Sequence, residues 1–384
     1  MKKYFFESIY LAMIGDKIGF GNGIVEKNND VIIFIKENYE KICEALSNLC
    51  VFNFISLGGI QGIKINELNI SDDTLFHLAT IKGMCSNYTN KNELYNNITK
   101  EYLEFSKNIN DLINVFLAGI QTIEAIKDID SGNNWRKFKY NKNAGGSGGP
   151  MRTMCIGLAF NHSNSLFKLI ESSIMITSIL HPNCTAFIGS IISALFTSYA
   201  LAKIEPSLWI FDLVRLLESE IIDDIMSSLK PDYNEYFVED KKLFLHKLKT
   251  FIETSYVDTK YIIYDNTLPR YVYPHIRMLY YYDNYSSNKK ILYPGAGADD
   301  CVIIAYDCLL MARNNYEHLI YTSMVNVGDS DTIGSIASAW YGAYYGFEGV
   351  PKNIILKKSK MYKEIKDLSK LLLKKYNEKI IKEF

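Results

Sequence analysis

Gly328-Asp329-Ser330-Asp331-Thr332-Ile333-Gly334-Ser335-Ile336-Ala337-Ser338-Ala339-Trp340-Tyr341-Gly342-Ala343-Tyr344-Tyr345-Gly346 is the stretch that decides the fold class. Gly334, Ser338, Gly342 and Gly346 recur at i, i+4 spacing, and Ser335, Ala339 and Ala343 form a second small row beside them. On a helix such rows share a face, and small side chains there let another backbone approach closely. The spacing predicts a central helix gripped on two sides. Its mouth carries Asp329, Asp331 and the hydroxyl of Thr332. A cap needs one acceptor oxygen, and this mouth supplies three.

Ser71-Asp72-Asp73-Thr74 has the same character near the other end of the chain. Ser71 or Asp72 suffices to cap a helix and match the positive end of its dipole. The remaining carboxylates repel one another unless a cation sits among them. Mg²⁺ and Ca²⁺ prefer oxygen ligands, so a hard divalent ion, or a pair, is the natural partner. A third signal is the loop Asn143-Ala144-Gly145-Gly146-Ser147-Gly148-Gly149-Pro150, which runs into Met151-Arg152. It can offer successive N–H groups to a phosphate at a helix N-terminus. It lacks the Lys-Ser/Thr ending of a Walker motif and follows no predicted strand.

Around these signals the periodicity is helical. Helices are predicted over 4–15 (ended by Gly15), 74–84, 94–105, 112–126, 151–160, 166–177, 184–202, 208–229, 241–256, 301–313, 316–326 and 362–384. The best strand-like run is 31–35. The expected fold is therefore nearly all-α, a compact multi-helix bundle in one domain over 1–384. Residues 183–202 are uncharged and long enough to raise the question of a membrane span. They include Asn183, Thr185, Ser190, Ser193, Thr197 and Ser198, and no second such segment is read, so a central helix is expected. A net charge of −1 gives no basic footprint for nucleic acid. Seven cysteines without a CxxC pair point to buried thiols in a reducing compartment. The N-terminus has no signal-peptide pattern. The expectation is a cytoplasmic monomer with no membrane or nucleic-acid partner.

Taken in order, these pieces resemble the ADP-ribosylglycohydrolase family from end to end. The resemblance rests on Gly15-Asp16-Lys17-Ile18-Gly19, Ser71-Asp72-Asp73-Thr74, Gly146-Ser147-Gly148-Gly149-Pro150-Met151-Arg152 and Gly328-Asp329-Ser330-Asp331-Thr332-Ile333-Gly334. The run 71–80 is most similar to the ADP-ribosylarginine hydrolase branch, as are Met154-Cys155-Ile156-Gly157-Leu158, Ser193-Ala194-Leu195-Phe196-Thr197 and Ile304-Ala305-Tyr306-Asp307. The resemblance implies an orthogonal helical bundle with two Mg²⁺ ions held by Ser71, Asp72, Asp73, Asp329, Asp331 and Thr332. It also implies a Glu reaching the site, here Glu26, and a diphosphate lying along Gly146, Ser147, Gly148, Gly149 and Met151. By the same likeness His181 lies near the phosphates and distal ribose, Tyr140 stacks on adenine, and Gly295 and Gly297 border the ligand. Leu180 stands where relatives usually have Thr, and Val327 where a Gly is frequent.

The implied reaction is Mg²⁺-dependent hydrolysis of the N-glycosidic bond between ADP-ribose and protein arginine. Asp72 is the expected acid/base residue, with Glu26 as a second candidate. The partners are an ADP-ribosylated protein as substrate and ADP-ribose as product. Three alternatives stay open: a hydrolase of another linkage (serine-linked or O-acetyl-ADP-ribose), a relative that binds ADP-ribose without catalysis, and a generic Mg²⁺ phosphohydrolase, which would release phosphate instead. His77 is read as structural, and the tyrosines Tyr271, Tyr273, Tyr280, Tyr281 and Tyr282 as a surface cover.

Overall fold

In a computed structural model of the protein, the residues described are 2–23, 29–260, 262–286 and 294–377. The chain begins with α1 (Lys2–Asn22), α2 (Asn29–Ser56), a single turn α3 (Gly59–Gly62), α4 (Asp72–Cys85), α5 (Lys91–Phe105), α6 (Ile109–Asn114) and α7 (Ile120–Asp130). The middle is α8 (Pro150–Ala159), α9 (Leu166–Ser178), α10 (Cys184–Leu201), α11 (Trp209–Glu218), α12 (Ile221–Leu229) and α13 (Asn234–Ser255). It closes with α14 (Pro274–Asn284), α15 (Ala298–Ala312), a short α16 (Tyr316–Leu319), α17 (Ser330–Tyr344) and α18 (Lys360–Asn377). Among the described residues the only sheet is the antiparallel pair β1 (Tyr256–Asp258) and β2 (Ile263–Tyr264), with Tyr256 opposite Tyr264.

The central helix is α17, gripped as its small residues predict. A Cβ on Gly15 of α1 would lie 2.2 Å from the Gly334 carbonyl oxygen, and one on Gly342 would lie 2.5 Å from the Glu7 carbonyl oxygen. Glycine at these crossings is what lets α1 and α17 touch backbone to backbone. Hydroxyls stitch the seam: Ser8 Oγ donates to the Ala339 carbonyl at 2.9 Å, and Ser330 Oγ to the Gly19 carbonyl at 3.0 Å. On another side, Trp340 Nε1 donates to the Ser193 carbonyl of α10 at 3.0 Å. The α10 helix is almost wholly buried, which makes it the central helix expected of its uncharged run.

Several expectations are corrected. Gly15 does not end α1, which continues to Asn22, because the α17 backbone occupies the space a side chain would need. Residues 31–35 lie in helix α2, not in a strand. The predicted helix 112–126 is broken into α6 and α7, with Leu117 in a left-handed conformation (φ 52°) between them. The predicted 208–229 is likewise two helices, α11 and α12. Residues 316–326 give α16 followed by a π turn, Ile320–Met324. A second apolar segment long enough to cross a membrane does exist: Cys43–Gly62, largely exposed. Tyr281 is fully buried and donates to Asp307 Oδ2 at 2.7 Å, so that tyrosine belongs to the core, whereas Tyr273 is exposed.

Candidate active site

The two acidic clusters converge. Thr332 Oγ1 at the mouth of α17 donates to Asp73 Oδ1 at 3.3 Å, across 259 residues of sequence. Each cluster also caps its own helix. Ser71 Oγ accepts from the Asp73 N–H at 3.1 Å, and Asp329 Oδ1 accepts from the Thr332 N–H at 3.4 Å. Both clusters cap, and capping leaves carboxylate oxygens over. Asp73 Oδ2 is buried and has no hydrogen-bond partner among the described residues.

Asp16, which the sequence reading left out of the site, organises the first cluster from α1. Its carboxylate accepts from the Ser71 N–H at 3.0 Å and from the Thr74 N–H at 3.1 Å, fixing where α4 begins. The signal for it was present in the motif Gly15-Asp16-Lys17-Ile18-Gly19. Glu26 lies outside the described residues.

Burial and mutual repulsion shape the electrostatics. Burial is the first cause and Asp331 the second in raising Asp16 to about 7. The same two causes, in the same order, hold Asp72, Asp73 and Asp329 well above the usual carboxylate range. Carboxylates this crowded in a dry place stay ionised only beside positive charge. The donor set is all oxygen, which suits a hard cation better than zinc. Among the described residues no three or more His, Cys, Asp or Glu side chains are grouped closely enough to hold a metal ion by themselves, so hydroxyls would have to complete any donor set.

The glycine loop lies across this mouth. Ser147 Oγ donates to Asp329 Oδ2 at 3.2 Å. Gly146 forms an antiparallel bridge with Gly297, the Ser147 N–H donates to the Ala296 carbonyl, and the Ala298 N–H to that of Gly145. Gly295 has φ 104° and sits against Ile333, while the Asp329 N–H donates to the Pro294 carbonyl at 2.9 Å. Three separate segments, 145–147, 294–298 and 329–332, thus form one wall. Asp300 braces it by accepting from the Gly297 N–H at 2.9 Å. Burial, then Asp299, raises Asp300 to about 7.

Behind the loop, a Cβ on Gly148 would meet the His181 ring at 2.6 Å. His181 Nδ1 lies 3.3 Å from both terminal nitrogens of Arg152, so it is the acceptor and Nε2 carries the proton. Burial, and then Arg152, push this imidazole well below its ordinary pKa and keep it neutral. Arg152 is fully buried and also donates to the carbonyls of Gly148 and Thr177. It is a positioning group that only the motif-ending Arg hinted at. Gly149 packs against Ser190 and Thr177. Met151 is 2 % exposed, with its N–H bonded to the Ser147 carbonyl, so it supports the loop from the core.

A cleft of ≈ 520 Å³ opens on the outer side of the loop, lined by Tyr140, Gly146, Asn183, Asp240, Gly297 and Asp300 among others. That is the size of a small-molecule site. Tyr140 lies parallel to Tyr236 at 3.9 Å and donates to Asp240 Oδ2 at 3.3 Å. One ring face expected to meet adenine is therefore already covered by a second tyrosine.

Fold and site together define an all-α protein in which two acidic helix starts face a glycine loop beside a ligand-sized cleft. The family model ADP-ribosylglycohydrolase matches residues 5–380, and the chain belongs to the ADP-ribosylglycohydrolase family. It is 32% identical over 347 residues to the "Putative ADP-ribosyl glycohydrolase L444" of Acanthamoeba polyphaga mimivirus, covering 88% of this chain and 63% of that protein. It is 29% identical to ADP-ribosylhydrolase ARH1 of Dictyostelium discoideum (90% and 87% covered) and 24% identical to ADP-ribosylhydrolase ARH3 of Xenopus tropicalis (80% and 82%). A solved structure titled "ADP-ribosylglycohydrolase-related protein complex" superposes with TM-score 0.56 at 14% identity over 97% of both chains. The expected all-helical fold of this family is borne out.

Proposed function

We propose that this chain hydrolyses the N-glycosidic bond between ADP-ribose and protein arginine, with two Mg²⁺ ions held by Ser71, Asp72, Asp73, Asp329, Asp331 and Thr332. Family membership supports the coarser part, cleavage of a bond to ADP-ribose. The branch-like motifs 71–80, 154–158 and 304–307 support arginine as the carrier. The carrying observation is the contact of Thr332 Oγ1 with Asp73 Oδ1, which makes one donor set of two clusters and leaves Asp73 Oδ2 free inside it.

Bound divalent ions supply charge that acidifies a coordinated water and fixes hydroxyl oxygens. The chain's residues do the rest. Asp72, 9 % exposed and raised by burial and its acidic neighbours, takes the proton from the attacking water. The buried carboxylates stabilise positive charge that grows on the ribose as the bond lengthens. Gly148, Ser147 and the neutral His181 bind and orient the diphosphate and distal ribose. Guanidine departs with the proton that Asp72 returns.

The test is release of ADP-ribose from arginine-modified and from serine-modified protein in Mg²⁺. Release from the arginine substrate, reduced roughly 10²–10⁴-fold by Asp72→Ala, is the expected result. Release from the serine substrate alone would transfer the reading to that linkage, and undiminished activity in Asp72→Ala would remove Asp72 from the mechanism.

A further inference from the structure

Residues 112–123, Leu-Ile-Asn-Val-Phe-Leu-Ala-Gly-Ile-Gln-Thr-Ile, carry no charge, yet much of the segment faces solvent. Val115 is 44%, Leu117 39% and Ile120 77% exposed. Leu117 holds the left-handed backbone at φ 52°, which an L side chain other than Asn or Asp rarely adopts. That turn projects the apolar side chains outward while Phe116 packs inward against the core.

The segment is tied to the candidate active site at both ends. The Phe116 carbonyl accepts from the Asp72 N–H at 3.1 Å. Gln121 Nε2 donates to the Leu180 carbonyl at 3.1 Å, one residue from His181, and Asn141 Nδ2 donates to Gln121 Oε1 at 2.9 Å. The segment thus joins the start of α4 to the turn before His181, and its exposed Val115 and Leu117 flank the carbonyl that holds the N–H of Asp72, the residue assigned to the bond being cut. The phosphates and riboses of ADP-ribose are anionic and hydroxyl-rich and do not match such an apolar patch, and the cleft beside Tyr140, where adenine is expected, is lined by none of Val115, Leu117 and Ile120. The other side of the bond is a polypeptide, which does match the patch.

We propose that the loop 113–120 receives the polypeptide that carries the ADP-ribose, through Val115, Leu117 and Ile120. This rests on the hydrolase reading above. It makes the loop a specificity element: it binds the carrier protein and takes no part in cleavage.

The experiment compares wild type with Leu117→Asn and Ile120→Ser. Asn tolerates the left-handed backbone, and Ile120 is the first residue of α7, where Ser is tolerated. Three quantities are read with Mg²⁺ present: calorimetric affinity for ADP-ribose, kcat/KM on free ADP-ribosyl-arginine, and KM on an arginine-modified protein. The expected result is unchanged affinity and unchanged turnover of the small conjugate, with KM for the protein about five- to tenfold higher. Equal losses on both substrates, or no change on either, would overturn the proposal. So would a dimer in sedimentation that the variants dissociate, because the patch would then serve a second copy. Failure of wild type to cleave either conjugate would instead bring down the hydrolase reading, and the loop's role with it.

Discussion

Two buried histidines show how environment sorts residues of one type into different roles. Burial takes His77 to about 3, and its Nε2 has no hydrogen-bond partner among the described residues. A histidine whose folded pKa lies below its unfolded value is neutral when folded and protonated when unfolded across that window. Its contribution is intact above about 6.5 and is lost as pH falls toward 3. His77→Leu should therefore flatten the acid side of a melting-temperature profile while leaving ADP-ribose release within about twofold. Loss of activity with normal folding would place His77 in the chemistry. Asp16 has the opposite sign. Held at about 7, it keeps its proton in the folded chain where the unfolded chain has lost it, so stability falls as pH rises from about 4 through 7. In chelator, melting at pH 8 should be restored by Mg²⁺ more than melting at pH 5.5. Equal recovery at both would show that the carboxylates are not what the cation relieves.

At the scale of the element, the seam between α1 and α17 sets the site, because α1 carries Asp16 and α17 carries Asp331 and Thr332. Gly15→Ala would push a methyl into the Gly334 carbonyl and should cost about 2 kcal/mol or more despite its better helix propensity. Divalent-ion affinity should fall with it. Gly62→Ala, whose Cβ meets nothing within 4 Å, is the matched control and should leave both unchanged. Equal melting temperatures for Gly15→Ala and wild type would refute the close-packed seam. The small-residue spacing on α17 announced this seam in the sequence, but its partner did not. Gly15 read as a helix stop because a glycine's local signal is the same whether it ends a helix or admits a neighbour. The break at Leu117 was hidden for a related reason: apolar residues at helical spacing run straight across it, and only tertiary contacts hold a leucine in a left-handed conformation. Residues 31–35, apolar and β-branched, suit either a strand or a buried helix by composition alone.

For the whole molecule, the helical fold class and the local motifs were legible in the sequence, and the way distant segments meet was not. Acidic pairs, the glycine loop and the motif order were legible because each depends on a few neighbouring residues. Arg152 behind His181, and the wall built from 145–147, 294–298 and 329–332, were not, since they exist only once distant segments meet. The central claim is of this second kind: two clusters, one site. Calorimetric titration of Mg²⁺ into wild type, Asp73→Asn, Asp331→Asn and the double variant tests it most directly. A shared site predicts that either single substitution removes most of the binding and the double removes little more, the non-additivity expected of groups that act together. Two independent sites, each lost with its own substitution and both lost only in the double, would contradict the account.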